Sequence, residues 1–191
     1  MGKLVACTNL TLDGVMQSPA SRDEDPRDGF RDGGWGAPYA AMTHVGHVFG
    51  DAGAMLFGRR TYENFADVWP KRPDSPFTPW LNAIPKYVAS RTLAEPLPWV
   101  NSTLLGGDVA DAVARLKRET PKNILMLGSG ELIRFLMRED LMDEYVLLVH
   151  PLVLGSGRRL FDEGAPRGDL RLVDSTATPN GVMVLTYRPA R

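Results

Sequence analysis

Ala54-Met55-Leu56-Phe57 runs into Gly58-Arg59-Arg60-Thr61-Tyr62-Glu63, and Asn123-Ile124-Leu125-Met126-Leu127 runs into Gly128-Ser129-Gly130-Glu131-Leu132. Each stretch reads as a short buried strand that ends at glycine and opens a helix. A helix start offers unpaired backbone N–H groups and partial positive charge, a natural seat for phosphate. Glycine lets backbone approach a ligand where a Cβ would obstruct it. Arg59 and Arg60 add cationic groups suited to a further phosphate. The two junctions together point to a phosphorylated dinucleotide, and so to redox chemistry.

The remaining elements fit the same scheme. Lys3 to Leu12 alternates as a strand, with Leu4, Ala6 or Cys7, Leu10 and Leu12 as buried candidates. Asp13-Gly14 turns the chain, and Gln17 to Pro38 reads as a long polar loop, a kind of segment that is often functional. Tyr39 to Gly53 is expected to be a helix, weakened by Gly46 and Gly50. Strand 54–57, helix 60–66 and a Pro-rich loop from Asp67 to Pro79 follow. Residues 86–90 and 102–105 read as strands, and Asp108 caps a helix to about Arg118. Strand 123–127, helix 131–138 and a long buried strand from Asp143 to Leu154 come next. Leu170 to Thr176 and Val182 to Arg188 flank Pro179-Asn180-Gly181, a hairpin signal. The expectation is one α/β domain over residues 1–191, with a mainly parallel sheet and an antiparallel C-terminal hairpin.

Composition narrows the partners. The chain has 191 residues, 43% hydrophobic and 24% charged, typical of globular proteins. A formal net charge of −1 gives no reason to expect nucleic acid. No apolar run reaches the roughly 20 residues of a membrane span. Met1-Gly2-Lys3 leads straight into a strand, without the apolar stretch of a secretory signal. Cys7 is the only cysteine, so no intrachain disulfide forms, and a cytoplasmic location is expected. His44, His47 and His150 lack companions at metal spacing, and no metal site is expected.

The motifs also have plainer readings. Gly58-Arg59-Arg60-Thr61 is neither a Walker A loop nor a Rossmann fingerprint, and could be a surface helix start that carries arginines. Ser90-Arg91 ends a third strand, where it could join Arg59 and Arg60 around one phosphate or be an ordinary loop. Gly155-Ser156-Gly157-Arg158-Arg159 is a tight turn with two solvated arginines, or a contact for anionic substrate or a partner subunit. Of the tryptophans, all in or beside loops, Trp35 lies in the long loop leading towards the expected cleft.

In order along the chain, Thr11-Leu12-Asp13-Gly14, Gly58 to Glu63, Val88-Ala89-Ser90-Arg91-Thr92-Leu93 and Leu127-Gly128-Ser129-Gly130 resemble the dihydrofolate reductase superfamily. Leu141 to Tyr145, continuing to Pro151–Phe161, is similar to the reductase domain of the bifunctional riboflavin-biosynthesis deaminase-reductase. The resemblance covers nearly the whole chain. It implies a dihydrofolate reductase-like three-layer sandwich, a homodimer, and NADPH as hydride donor to a small-molecule substrate. By that match Arg59, Ser90 and Arg91 hold the 2′-phosphate, while Gly58, Arg60 and Thr61 sit at the pyrophosphate. Gly128, Ser129, Gly130, Glu131 and Leu132 line its other side and the nicotinamide end. Asn9, Thr11, Met16 and Trp35 border the substrate, and Asp13 is a proton relay or only a turn cap.

Dihydrofolate reductases also carry an acid at the start of the helix before the Gly-Arg motif. The corresponding position falls near Met42, and Tyr39 to Val45 contains no carboxylate. The activity implied is an oxidoreductase of the riboflavin-biosynthesis type, a 5-amino-6-(5-phosphoribosylamino)uracil reductase-like enzyme without the deaminase domain. The alternatives are a dihydrofolate or pterin reductase, an NADPH-binding protein without turnover, and a partner-binding module that has lost the nucleotide.

Overall fold

A computed structural model describes residues 1–190. Eight strands form one sheet in the order β4-β3-β2-β5-β1-β6-β8-β7. They are β1 (Leu4–Thr11), β2 (Ala52–Gly58), β3 (Lys86–Ala89), β4 (Ser102–Leu104), β5 (Asn123–Leu127), β6 (Glu144–His150), β7 (Leu170–Ala177) and β8 (Met183–Pro189). Strands β1 to β6 run parallel, and β8 and β7 continue the sheet antiparallel. The helices are α1 (Gly46–Gly50), α2 (Arg59–Val68), α3 (Thr78–Ala83), α4 (Val109–Glu119) and α5 (Gly130–Arg138). This is the expected mixed α/β sandwich, with a mainly parallel sheet and an antiparallel C-terminal hairpin.

Alternation along β1 divides the core between the two faces of the sheet. Val5 and Cys7 pack with Phe57, Leu125, Tyr62 of α2 and Leu81 of α3. Leu4 and Ala6 pack with Leu56, Ile124, Val113 and Leu116 of α4, and Ile133 and Leu136 of α5. Both faces of β1 are therefore covered, as the near-continuous apolar sequence of a central parallel strand requires. The Asp108 carboxylate accepts from the Asp111 amide at 3.0 Å and starts α4.

Four expectations need correction. The single helix over 39–53 is split into a 3-10 run, Ala41–Val45, and the five-residue α1. Ala40 takes a left-handed φ of 47°, Val45 leaves helical geometry at φ −116°, ψ 27°, and Gly46 and Gly50 favour the helix little. The long strand from 143 to 154 stops at His150, because Pro151 has no N–H to donate to the ladder. Leu12 is 65% exposed, since β1 ends one residue earlier and the chain turns there. Trp80 lies inside α3, a helix that the Pro-rich composition of 67–79 conceals.

The segment 17–38 contains two 3-10 turns and is tied down at several points. Gln17 and Ser18 are buried, and their side chains bond the backbone of Asp25 and Arg27. Trp35 packs with Val15 and Phe30 in a small core of its own.

Candidate active site

The sheet register sets the strand ends side by side. Gly58 pairs with Ala89, so Arg59 and Ser90 leave β2 and β3 as neighbours. On the other flank β2 lies against β5, and a side chain closes the gap between the two glycine junctions. The Gly58 amide donates to Ser129 Oγ at 3.0 Å, and that hydroxyl donates to Thr61 Oγ1 at 2.9 Å. Ser129 holds a left-handed φ of 64°, following Gly128 at φ 70°. Its hydroxyl is thereby directed across to α2 and does not cap α5. No side chain caps α2 either. Both helices thus begin with backbone N–H groups that no capping side chain takes.

Around this bridge, Arg59 pairs with Glu63 at 3.0 Å one helical turn on, while Arg60 and Arg91 are exposed. Ser90 Oγ accepts from the amides of Thr92 and Leu93 and shapes the turn after β3. Met16 lies against Gly130: a Cβ there would stand 2.5 Å from Met16 Sδ. Leu132 is half-buried beside Gly58. Glu131 faces Arg158 at 3.4 Å and Arg27 at 3.9 Å. Arg158 also pairs with Asp28 at 2.9 Å, which links the 17–38 loop to the start of α5.

The end of β1 carries a second group of polar contacts. Thr11 is buried; its hydroxyl donates to Asp13 Oδ1 at 2.6 Å and accepts from the Val15 amide at 2.9 Å. Asp13 accepts in turn from the amides of Leu154 and Gly155 and faces Arg159 at 3.4 Å. The Thr11 hydroxyl and these backbone donors hold its carboxyl low, at about 2. Asp13 is a carboxylate that ties the first turn to the loop after β6.

Asn9 and His150 meet between β1 and β6, with His150 Nε2 2.9 Å from Asn9 Oδ1. The Asn9 amide nitrogen is 3.7 Å from Met42 Sδ. The fully buried His150 ring meets Trp35 and Tyr39 edge-on at 5.1 and 5.0 Å between centroids. Burial holds its pKa down at about 4, so the ring is neutral near pH 7. Trp35 is itself anchored by its indole N–H, which donates to the Gln17 carbonyl at 2.7 Å.

Gly58, Thr61, Ser129, Leu132, Gly130 and Met16 therefore meet directly, and Arg59 with Ser90-Arg91 stands at the adjoining strand ends. Thr11 and Asp13 engage one another, and Trp35 packs on His150. The sequence assigned no part in the site to His150 or Met42, and it did not reveal the pairing of Arg158 with Glu131 or of Arg159 with Asp13. A signal for His150 existed: it is the last residue before Pro151, and a parallel neighbour of β1 must end beside Thr11, its register partner. His44 and His47 are exposed, and among the described residues no three His, Cys, Asp or Glu side chains gather as a metal site. No helix among them is long and apolar enough to cross a membrane.

A mixed sheet with glycine junctions gathered at the carboxyl ends of parallel strands is the arrangement of a dihydrofolate reductase-like fold. The chain belongs to the family described as the RibD C-terminal domain, whose model matches residues 3–184, a family of reductase domains of the riboflavin-biosynthesis type. It is 30% identical over 137 residues to the uncharacterized protein YyaP of Bacillus subtilis, covering 70% of this chain and 72% of that one. A protein of Shewanella sp. PV-4 assigned provisionally to riboflavin biosynthesis superposes with a TM-score of 0.71 at 23% identity, over 100% of both chains. Dihydrofolate reductase from Enterococcus faecalis, solved with NADP(H), superposes with a TM-score of 0.62 at 14% identity, over 100% of this chain and 98% of that one.

Proposed function

We propose that this protein is an NADPH-dependent reductase that transfers hydride to a small heterocyclic, ribosylamino-pyrimidine-like substrate. The reading is carried by the hydroxyl bridge between the glycine junctions, Gly58 N–H to Ser129 Oγ to Thr61 Oγ1. It leaves two uncapped helix starts side by side at the parallel strand ends, a donor set suited to a pyrophosphate. Arg59 and Arg91, with the Ser90 hydroxyl between them in the turn, supply the charge-assisted donors that a 2′-phosphate needs. The residues present therefore fit NADPH, which would supply the hydride. Gly130 and Met16 would border its nicotinamide end, and Glu131 would be held off the phosphates by Arg158 and Arg27. Asn9 would face the substrate. Asp13, bonded on several sides, would orient the first turn, and we assign it no proton-donor role in this reading.

The test is a paired measurement on the full chain. NADPH at a hundredfold excess over its dissociation constant should stabilise the fold by roughly 2.7 kcal/mol, and NADH much less. NADPH should be oxidised on addition of 5-amino-6-(5-phosphoribosylamino)uracil. Binding without oxidation would leave a cofactor-binding protein, and no stabilisation would remove the reductase reading. The homodimer expected from the resemblance is part of this proposal; light scattering should give twice the 21.0 kDa chain mass.

A further inference from the structure

His150 is fully buried, and its Nδ1 atom has no hydrogen-bond partner. That orphan atom settles how the ring and its neighbour are arranged. A buried N–H without an acceptor loses a hydrogen bond it had in water, and a bare ring nitrogen loses less because it strands no proton. The neutral ring therefore carries its proton on Nε2, which donates to Asn9 Oδ1 2.9 Å away. With its oxygen engaged, the Asn9 amide turns its NH2 the other way, towards Met42 Sδ at 3.7 Å. The flipped amide would set oxygen against sulfur, two acceptors, and would require the stranded Nδ1–H. Trp35 and Tyr39 meet the ring edge-on, and Gly36 lies beside His150 Cε1, so the ring is packed on several sides.

We infer that His150 is a positioning residue that fixes Asn9 as a hydrogen-bond donor to bound substrate. The substrate edge facing Asn9 must then carry an acceptor, such as a carbonyl oxygen. Only one amide proton faces the weak sulfur acceptor, so Asn9, half-exposed, retains donor capacity for a ligand. An amino group on that edge would meet a donor and leave two N–H groups facing each other. The inference rests on the reading that the end of β1 borders the substrate.

Nitrogen NMR on the full chain, saturated with NADPH, tests each half separately. The expected tautomer is Nε2–H with a bare Nδ1, and a proton on Nδ1 would overturn the positioning role. Uracil and 2,4-diaminopyrimidine serve as probes, the second placing amino groups where the first has carbonyls. The Asn9 NH2 signals should respond to uracil, which should bind at least about tenfold more tightly, a difference of about 1.4 kcal/mol. Asn9→Asp, which replaces the donor by an acceptor, should reverse the ranking. His150→Gln, which retains a donor, should preserve the ranking, while His150→Phe, which removes it, should narrow the ranking. An unchanged ranking in Asn9→Asp, or no response of Asn9 to either probe at millimolar concentration, would overturn the inference. Failure of the reductase reading looks different: the NADPH perturbation at Thr61 and Ser129 would be missing, while the His150 tautomer stayed as stated.

Discussion

Ser129 and Thr61, 68 residues apart, share a 2.9 Å hydroxyl contact that joins the start of α5 to the start of α2. The same Ser129 oxygen accepts the Gly58 amide, so one side chain satisfies a strand-end donor and fixes the spacing of two helix N-termini. The left-handed backbone at Ser129 makes this possible, because it swings the side chain off the α5 axis and towards α2.

Ser129→Ala should remove both bonds and leave the partly buried Gly58 amide without its partner. A stability loss of about 1–2 kcal/mol is expected, read as a lower urea midpoint at unchanged slope. NADPH affinity should fall as well, because the two helix starts lose their fixed spacing. An unchanged midpoint would show that water replaces the hydroxyl at no cost.

Cys7 lies on β1, buried between α2 and the sheet, and its thiol is pushed up to about 12 by burial. The thiolate is the reactive species, so the native protein should be almost inert to thiol reagents at neutral pH. Modification should appear only as the chain unfolds and should follow the urea transition. Stoichiometric labelling in native buffer would contradict the burial of β1.

The sequence is most legible where periodicity and turn chemistry agree. Residues 123–127 form the strand read there, and Asp108 caps α4 as its position before Val109, Val113 and Leu116 suggests. The Pro179-Asn180-Gly181 turn closes the β7–β8 hairpin, with Gly181 at φ 79°. Less legible were features set by tertiary contact. Its place before Pro151 marks His150 as the end of a strand, but only the register of β6 on β1, which sets it opposite Thr11, brings its ring to Asn9. Ser129 reads locally as part of a glycine junction, and only its left-handed φ turns its side chain into a bridge to α2. The 17–38 loop has turn-like composition, yet its fixed shape comes from buried Gln17 and Trp35, whose partners lie 8 to 18 residues away.

Acid should weaken the fold in two stages with different causes. His150 is held at about 4 when folded and titrates near 6.5 when unfolded. The unfolded chain therefore takes up a proton first, and stability falls as pH drops from about 6.5 to 4, by roughly 3 kcal/mol. Asp13 contributes at lower pH. Its folded carboxyl titrates at about 2 against roughly 3.9 unfolded, so its contribution is complete above pH 4 and is lost as pH falls towards 2. Urea titrations across this range should show the first loss flattened in His150→Gln and the second in Asp13→Asn. A stability profile flat from pH 6.5 to 4 in the native protein would contradict a neutral, buried His150.

Arg59 and Arg91 test the assignment of the 2′-phosphate, the group that separates NADPH from NADH. Each follows a strand of the Gly58–Ala89 pair, so the two stand at adjacent strand ends on one side of the sheet. Arg59 is engaged only with half-exposed Glu63, an ion pair of little strength that a phosphate can displace. A charge-assisted hydrogen bond to phosphate contributes about 1.5–3 kcal/mol, so each substitution by alanine should weaken NADPH by roughly tenfold or more. NADH, which lacks the group, should change by less than about twofold. Both constants are measured by nucleotide fluorescence titration, with the thermal midpoint as a control, since exposed arginines at these positions contribute little to the fold. Equal losses for the two nucleotides would place the 2′-phosphate elsewhere, and Arg60, exposed on the first turn of α2, would be the next residue to substitute.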